Sequence, residues 1–465
     1  MSGATTETSD SERAESDPPA SYGLATATWV VVAGMVGTGV LTMSGYTVLS
    51  VRSNQLMLFL WVVGGIVALC GAFAAAELGA SLPRSGGDYV FLREAYGPFA
   101  AFLSGWVSFL IGFGGPIAIA ASASARYVLA PFAIRPAILP YAINALATVS
   151  IIAFAVIHVL GRTLSVRAQA LSTIVKLGLL ILYVVFGLIA GRRGVSHLAD
   201  RPPIDSQLLM AMLFSLVYVS YAYTGWNTAA YIAGEIKNPK RNLPLALIGG
   251  TAGVALLYLA INLVYATAFS ASDIVAFGPE KVAEIAGLAA TSLYGKKIGD
   301  PLSVAIGLML YSSLSAYVLT GPRVLYAMAR EGQFPSVAAR LTKRARTPAI
   351  ATAIQSTWSI FLLWVAPFET ILEYASVGLA LFSMLTISSV YVLRYRRPDL
   401  PRPFRAPGYP VTPAIYLIVT AMLTAAAFAM KPIPSLCALA CVLIGVPVYW
   451  LWPGLGSRSP RNPSK

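Results

Sequence analysis

Met35-Val36-Gly37-Thr38-Gly39-Val40 and, five apolar runs later, Tyr221-Ala222-Tyr223-Thr224-Gly225-Trp226-Asn227 are the two stretches on which the fold turns. The first places two glycines either side of a threonine inside an apolar run that also holds Gly34 and Gly45. Each such glycine weakens a helix by about 1 kcal/mol relative to alanine. The second stretch interrupts an apolar helix with polar and aromatic residues around one glycine. Small residues also serve tight helix packing. Two breaks five spans apart, however, match a chain built of two five-helix repeats of opposite topology, each opening with a discontinuous helix. A broken helix offers free N–H groups at a positive end, suited to a carboxylate, and free carbonyls at a negative end, suited to an ammonium. A zwitterion fits both poles.

The rest of the chain supplies the setting for such breaks. Its 465 residues are 57% hydrophobic and only 11% charged, where soluble domains carry about 25% charged residues. Apolar runs of about twenty residues recur along it, each long enough to cross a hydrocarbon core of about 30 Å. Counting them predicts an all-α integral membrane protein of about twelve spans. The expected layout is a polar tail at 1–20, an inverted-repeat core at 21–394 holding spans one to ten, two accessory spans at 395–455, and a second tail at 456–465. This composition excludes a secreted disulfide scaffold, a collagen and a disordered chain. The first twenty residues lack the basic start and cleavage pattern of a signal peptide.

The net charge of +14 is spread over short loops rather than gathered on one soluble face, so a nucleic-acid partner is not expected. Topology explains it better. One set of loops holds Arg84, Arg93, Lys237, Lys240, Arg241, Arg330, Arg394, Arg396 and Arg397, while the opposite set is poorer, with Arg52, Arg135 and Lys431 among its members. The bias predicts both termini in the cytoplasm of a multi-pass protein of the cell (plasma or inner) membrane. Two connections are more than links: Pro83 to Pro98 suits a short amphipathic helix at the cytoplasmic surface, and Ser270 to Gly299 suits an external helical cap as well as it suits a plain linker. Trp450 and Trp452 read as interfacial anchors.

Charges at membrane depth are rare, and each is a candidate site. Lys176 sits about a third of the way into span five, in STIVKLGLL. Glu77, Glu235 and Arg323 lie at span ends, where ion pairs and helix-end contacts are expected. His158 reads as an interfacial polar residue rather than a proton relay. Cys70, Cys437 and Cys441 sit inside apolar runs without ligand-like spacing, so neither a metal nor a cofactor is expected. An enzyme is poorly supplied with only His158 and His197 for acid–base chemistry near neutral pH, and a channel would need a continuous polar pore. Polarity confined to two breaks and one lysine suits an occluding carrier.

Four blocks carry a family resemblance: Gly37-Thr38-Gly39, ELGASLPRSGGDYVFLREAYGP from Glu77, YAYTGWNTAAYIAGEIKNPKRNLP from Tyr221, and TGPRVLYAMAREGQFP from Thr320. The chain resembles the amino acid, polyamine and organocation permease superfamily, near its L-type and cationic amino acid transporter branches. The resemblance implies a secondary transporter working by alternating access. It implies that Gly37, Thr38 and Gly39, next to Met35, bind the substrate carboxylate. Tyr221, Ala222 and Tyr223, followed by Thr224 and Gly225, match the unwound stretch that takes the amino group. Tyr221 stands at the gate, with Trp226 as a second closing aromatic. The gate is usually phenylalanine in the family, so the hydroxyl here is a departure. Lys176 resembles the lysine held between the first and eighth helices where sodium-coupled relatives keep sodium. It is expected to reach carbonyls near Gly34 and the hydroxyls of Ser312, Ser313 or Ser315, either as a proton carrier or as a fixed tether for exchange. Small residues at Gly112, Gly114, Gly115 and Ala118, with no anion at Thr224, favour a neutral amino acid; a cationic amino acid or polyamine is the alternative. With no cysteine in the loops, a disulfide-linked partner subunit is not expected.

Overall fold

The computed structural model describes residues 22–198, 205–342 and 345–451. The expected tails at 1–20 and 456–465, and Trp452, lie outside them. Among the described residues the elements are helical, and the one β-bridge joins Tyr22 to Ile236. Among the described residues ten helices are long and apolar enough to cross a membrane. Two more spans fall short of that length for local reasons. Span six stops as a helix at Ser206–Ala222 because the chain turns at 223–227. Span nine, Ala349–Val365, is bounded by Pro348 and Pro367, neither of which can continue a helix into it.

The two breaks fall where the glycines lie. Span one is two helices, Leu24–Met35 and Thr38–Val51, with Val36 and Gly37 between them. Span six resumes after its break as a 3-10 segment, Thr228–Glu235. Gly225 has φ +96°, and a Cβ there would collide with the Gly34 carbonyl oxygen and sit 2.6 Å from its carbon. The two discontinuities therefore cross backbone to backbone, an approach that only glycine permits.

Inner and outer layers follow from burial. The apolar stretches of spans one, three and eight are 67%, 72% and 61% buried, while those of spans four, five and twelve are 28%, 28% and 22% buried. The outer set turns Val149, Ile152, Ile181, Leu182 and Leu436 outward, as a lipid-facing surface requires. Span three, Pro98–Leu129, loosens into a π-helical turn at Ser108–Phe113; nothing in its sequence pattern signalled this. Span seven, Pro239–Ala268, packs along span two, Asn54–Ser81.

The two special connections depart from simple loops. The helix expected within Pro83 to Pro98 forms at Asp88–Tyr96, but Asp88, Tyr89, Phe91 and Leu92 are buried and only its Arg93 side is open. It is thus docked into the bundle rather than laid on its surface. The 270–299 segment is helical, as Ala271–Val282 and Ile285–Tyr294, and opens with a capping box between Ser270 and Asp273. It packs against the second half of span one, where a Cβ on Gly45 would meet Val282. That places it at the face of the bundle opposite Tyr22.

Candidate functional site

A helix break orphans the last carbonyls before it and the first amides after it. In span one, every carbonyl from Gly34 to Val36 is taken by a side chain from another span. Gly34 O accepts from the Tyr317 hydroxyl at 2.9 Å and Met35 O from the Tyr258 hydroxyl at 2.5 Å. Val36 O accepts from the Ser313 hydroxyl at 2.8 Å and from the Lys176 ammonium. Spans five, seven and eight thus converge on one turn of span one.

The break in span six is closed partly from within. The Thr224 hydroxyl donates to Tyr221 O at 2.7 Å and the Thr228 hydroxyl to Gly225 O at 2.5 Å. Ala222 O accepts from Tyr258 at 3.1 Å. One hydroxyl therefore spans the negative ends of both half-helices. Tyr258 is fully buried, edge-on to Trp61 at 5.3 Å. Tyr258→Phe keeps the ring and leaves two buried carbonyls short of a donor, so a loss of about 1–3 kcal/mol is expected. It would be read as a lower thermal midpoint of the detergent-solubilised protein; an unchanged midpoint would mean that the breaks hold without this tether.

Lys176 is 1% exposed and does not snorkel. Its ammonium meets Ser313 Oγ at 3.0 Å as well as Val36 O. Of the other hydroxyls named for it, Ser315 pairs with His158 Nε2 at 3.0 Å and Ser312 is buried nearby in span eight. The carbonyl reached is that of Val36, two residues beyond Gly34, and Lys176 shares it with the Ser313 hydroxyl. His158 is buried within the bundle, in the last turn of span four.

A cavity of about 140 Å³ opens beside span six. Tyr221, Tyr223, Thr224, Gly225 and Trp226 line it, with Gly112 and Phe113 of span three and Tyr317 of span eight opposite. Met35, Gly37, Thr38, Gly39 and Ala222 do not line it; they are buried behind that wall. Tyr221 belongs to both groups, since it lines the cavity and is itself buried. The Trp226 ring stands at 81° to Tyr416, 5.8 Å away, on the span-eleven side of the cavity. Span eleven, Val411–Met430, thereby contributes wall to the cavity rather than serving only as an accessory.

The cavity wall also holds Asp88, from the docked helix before span three. Both carboxylate oxygens accept from Asn227 Nδ2 at 3.1 Å, and Oδ2 also accepts from the Tyr231 hydroxyl at 3.0 Å. Burial pushes its carboxyl up to about 6, against the pull of those hydrogen bonds. Near the Tyr22 face, Arg323 pairs with Glu235 at 3.4 Å, and the Tyr22 backbone is bridged to Glu235 and Lys237. Glu77 takes a two-pronged contact from Arg394 at 2.8 and 2.7 Å.

Sequence reading missed Tyr258, Tyr317 and Asp88. Tyrosine is common in this chain, with 23 copies, so neither ring stood out from an interfacial anchor. Asp88 sits after a glycine pair in a loop and carried no sign that its side chain would be buried.

The sequence profile of the amino acid permease family matches residues 22–447. The chain is 26% identical over 427 residues to the cystine/glutamate transporter of Homo sapiens, covering 91% of this chain and 83% of that one. It is 29% identical over 444 residues to the large neutral amino acids transporter small subunit 2 of Mus musculus, covering 92% and 80%. It is also 29% identical over 430 residues to the serine/threonine exchanger SteT of Bacillus subtilis (strain 168), covering 92% and 95%.

Proposed function

Because the chain belongs to the amino acid permease family, and is thus a multi-pass amino acid transporter, we propose that it carries neutral amino acids by alternating access without sodium. The observation that carries this reading is the Lys176 ammonium on Val36 O and Ser313, a fixed cation at the joint of spans one, five and eight where no metal charge is then needed. The substrate carboxylate would meet the amides that open the second half of span one at Gly37, Thr38 and Gly39, and its ammonium the carbonyls around Tyr221 to Tyr223. Tyr221 and Trp226 would close over it. Coupling would run through Lys176 with Ser313, in company with Ser312 and Ser315, either by proton movement or as a tether for exchange.

A neutral side chain is supported by the wall it would face: Gly112, Thr224 and Trp226 bring no charge. The names of two relatives, a large neutral amino acids transporter and a serine/threonine exchanger, point the same way. One observation favours a cationic amino acid or polyamine instead, namely that Asp88 lines the same cavity. Its two oxygens already accept from Asn227 and Tyr231, which weighs against a further cation there. The loop charge bias supports a cytoplasmic Tyr22 face in the cell membrane, and the cysteines, all within spans, support function without a disulfide-linked partner.

Uptake of labelled serine or leucine into proteoliposomes tests this. Vesicles are either empty with an acid exterior or preloaded with unlabelled amino acid at equal pH. Uptake into preloaded vesicles alone identifies an exchanger, gradient-driven accumulation a proton symporter. Saturable uptake of lysine or putrescine with none of serine or leucine would overturn the neutral reading.

A further inference from the structure

Asp88 belongs to a contact that neither the breaks nor Lys176 explains. It opens the helix Asp88–Tyr96, outside the spans. The turn before it grips the 3-10 half of span six: Gly86 N–H donates to Tyr231 O at 3.1 Å, Ser85 Oγ accepts from Gly234 N–H at 3.1 Å, and a Cβ on Gly87 would strike the Tyr231 ring at 2.8 Å. Asp88 completes that grip through Asn227 and Tyr231, one turn apart on the same half-helix. The inner half of span six is therefore seated on the 85–88 turn.

The seat is unusual in its charge. Asp88 is 8% exposed, and the partners of its carboxylate, Asn227 and Tyr231, are both neutral. The titratable groups that face it are the phenols of Tyr231 on span six and Tyr416 on span eleven. Charges on the packed elements are paired elsewhere: Arg93 with Glu331, Glu94 with Arg84 and Arg397, Glu235 with Arg323, and Arg394 with Glu77. Among the described residues no cation lies within ion-pair distance of Asp88. A carboxylate buried without a cation is costly to keep ionised, and binding a proton relieves that cost. Hydration would relieve it equally.

We propose that Asp88 is a proton-linked positioning residue of the inner gate: its carboxylate binds a proton more tightly when the 3-10 half of span six is seated on the 85–88 turn than when that half swings away and the carboxylate meets water. This rests on the alternating-access reading with the Tyr22 face in the cytoplasm. The direction follows from linkage. The seated state holds the proton more tightly than the open one, so acid on this side favours the seated, closed gate, and neutral pH favours opening. With the seated carboxyl near 6, lowering the cytoplasmic-side pH from about 7.5 to about 5.5 shifts the balance toward closure by about fourfold.

The test is exchange of serine or leucine, or whichever amino acid wild type carries, in oriented proteoliposomes, with lumenal pH varied on the Tyr22 side. Wild-type turnover should fall about fourfold across that range with KM little changed. Asp88→Asn, neutral at every pH, should give a flat profile at the slow, acid rate, and Asp88→Glu should restore a pH-dependent one. Tyr231→Phe removes a donor to the ionised form and should move the midpoint upward; it decides the matter if Asp88→Asn does not fold. A wild-type profile persisting in Asp88→Asn, or an unmoved midpoint in Tyr231→Phe, overturns the proposal and assigns the titration to another group such as Lys176. No transport of any amino acid by wild type would instead overturn the transport reading beneath it.

Discussion

Uptake by Lys176→Met is expected to fall at least tenfold while the thermal midpoint of the purified protein stays level or rises. Methionine matches the length of the lysine stem and fills the same space without a charge. The ammonium of Lys176 is buried against a carbonyl and a hydroxyl, and among the described residues no carboxylate lies within ion-pair distance of it. Burying a cation on neutral acceptors costs several kcal/mol, so the residue is a poor stabiliser. Removing it leaves Val36 O still bonded to the Ser313 hydroxyl at 2.8 Å. Stability and function should therefore separate at this position. Wild-type uptake by the variant would remove Lys176 from the coupling site, and a sharp loss of thermal stability would recast it as a structural strut.

Gly37→Ala and Gly39→Ala should diverge, although the two glycines flank one threonine. A Cβ on Gly37 would lie 3.6 Å from Ser313 Oγ and 3.7 Å from the Tyr317 hydroxyl, which is ordinary contact. That variant is expected to fold and to raise KM at least tenfold, by crowding the amides proposed for the carboxylate. A Cβ on Gly39 would run into the Ala222 Cα and stand 2.5 Å from its Cβ. Because the clash is with backbone, no side chain can turn away from it, and a loss of about 1–3 kcal/mol or more is expected. Expression and thermal midpoint, measured beside uptake, separate the two effects. An unchanged KM in Gly37→Ala would remove this turn from the binding site. Normal stability in Gly39→Ala would mean that spans one and six have room to part at this crossing.

The difference between these glycines marks how far a sequence can be read. MVGTGV says that the helix breaks, because glycine gives up helical free energy wherever it sits and an apolar run of this length must otherwise be continuous. Which of its two glycines has room for a Cβ and which would strike Ala222 depends on chain segments almost two hundred residues away or more. The same holds for Lys176. Its rarity in an apolar run singled it out, and its reach toward a carbonyl near Gly34 and toward span eight was expected from the family resemblance, yet that the carbonyl is Val36's, shared with Ser313, depends on how spans one, five and eight meet.

Hydropathy, glycine placement and the spacing of the two breaks, read from one dimension, determined that this chain crosses a membrane about twelve times and is interrupted in spans one and six. These properties are local: transfer free energy and helix propensity add residue by residue along the chain. Tertiary structure alone decided that Tyr258 bridges both breaks, that span eleven walls the cavity, and that Asp88 is buried beneath span six instead of solvated in a loop. Each of these depends on which distant groups meet in a medium without water, where a hydroxyl or carboxylate takes its role from the partners that replace its solvent.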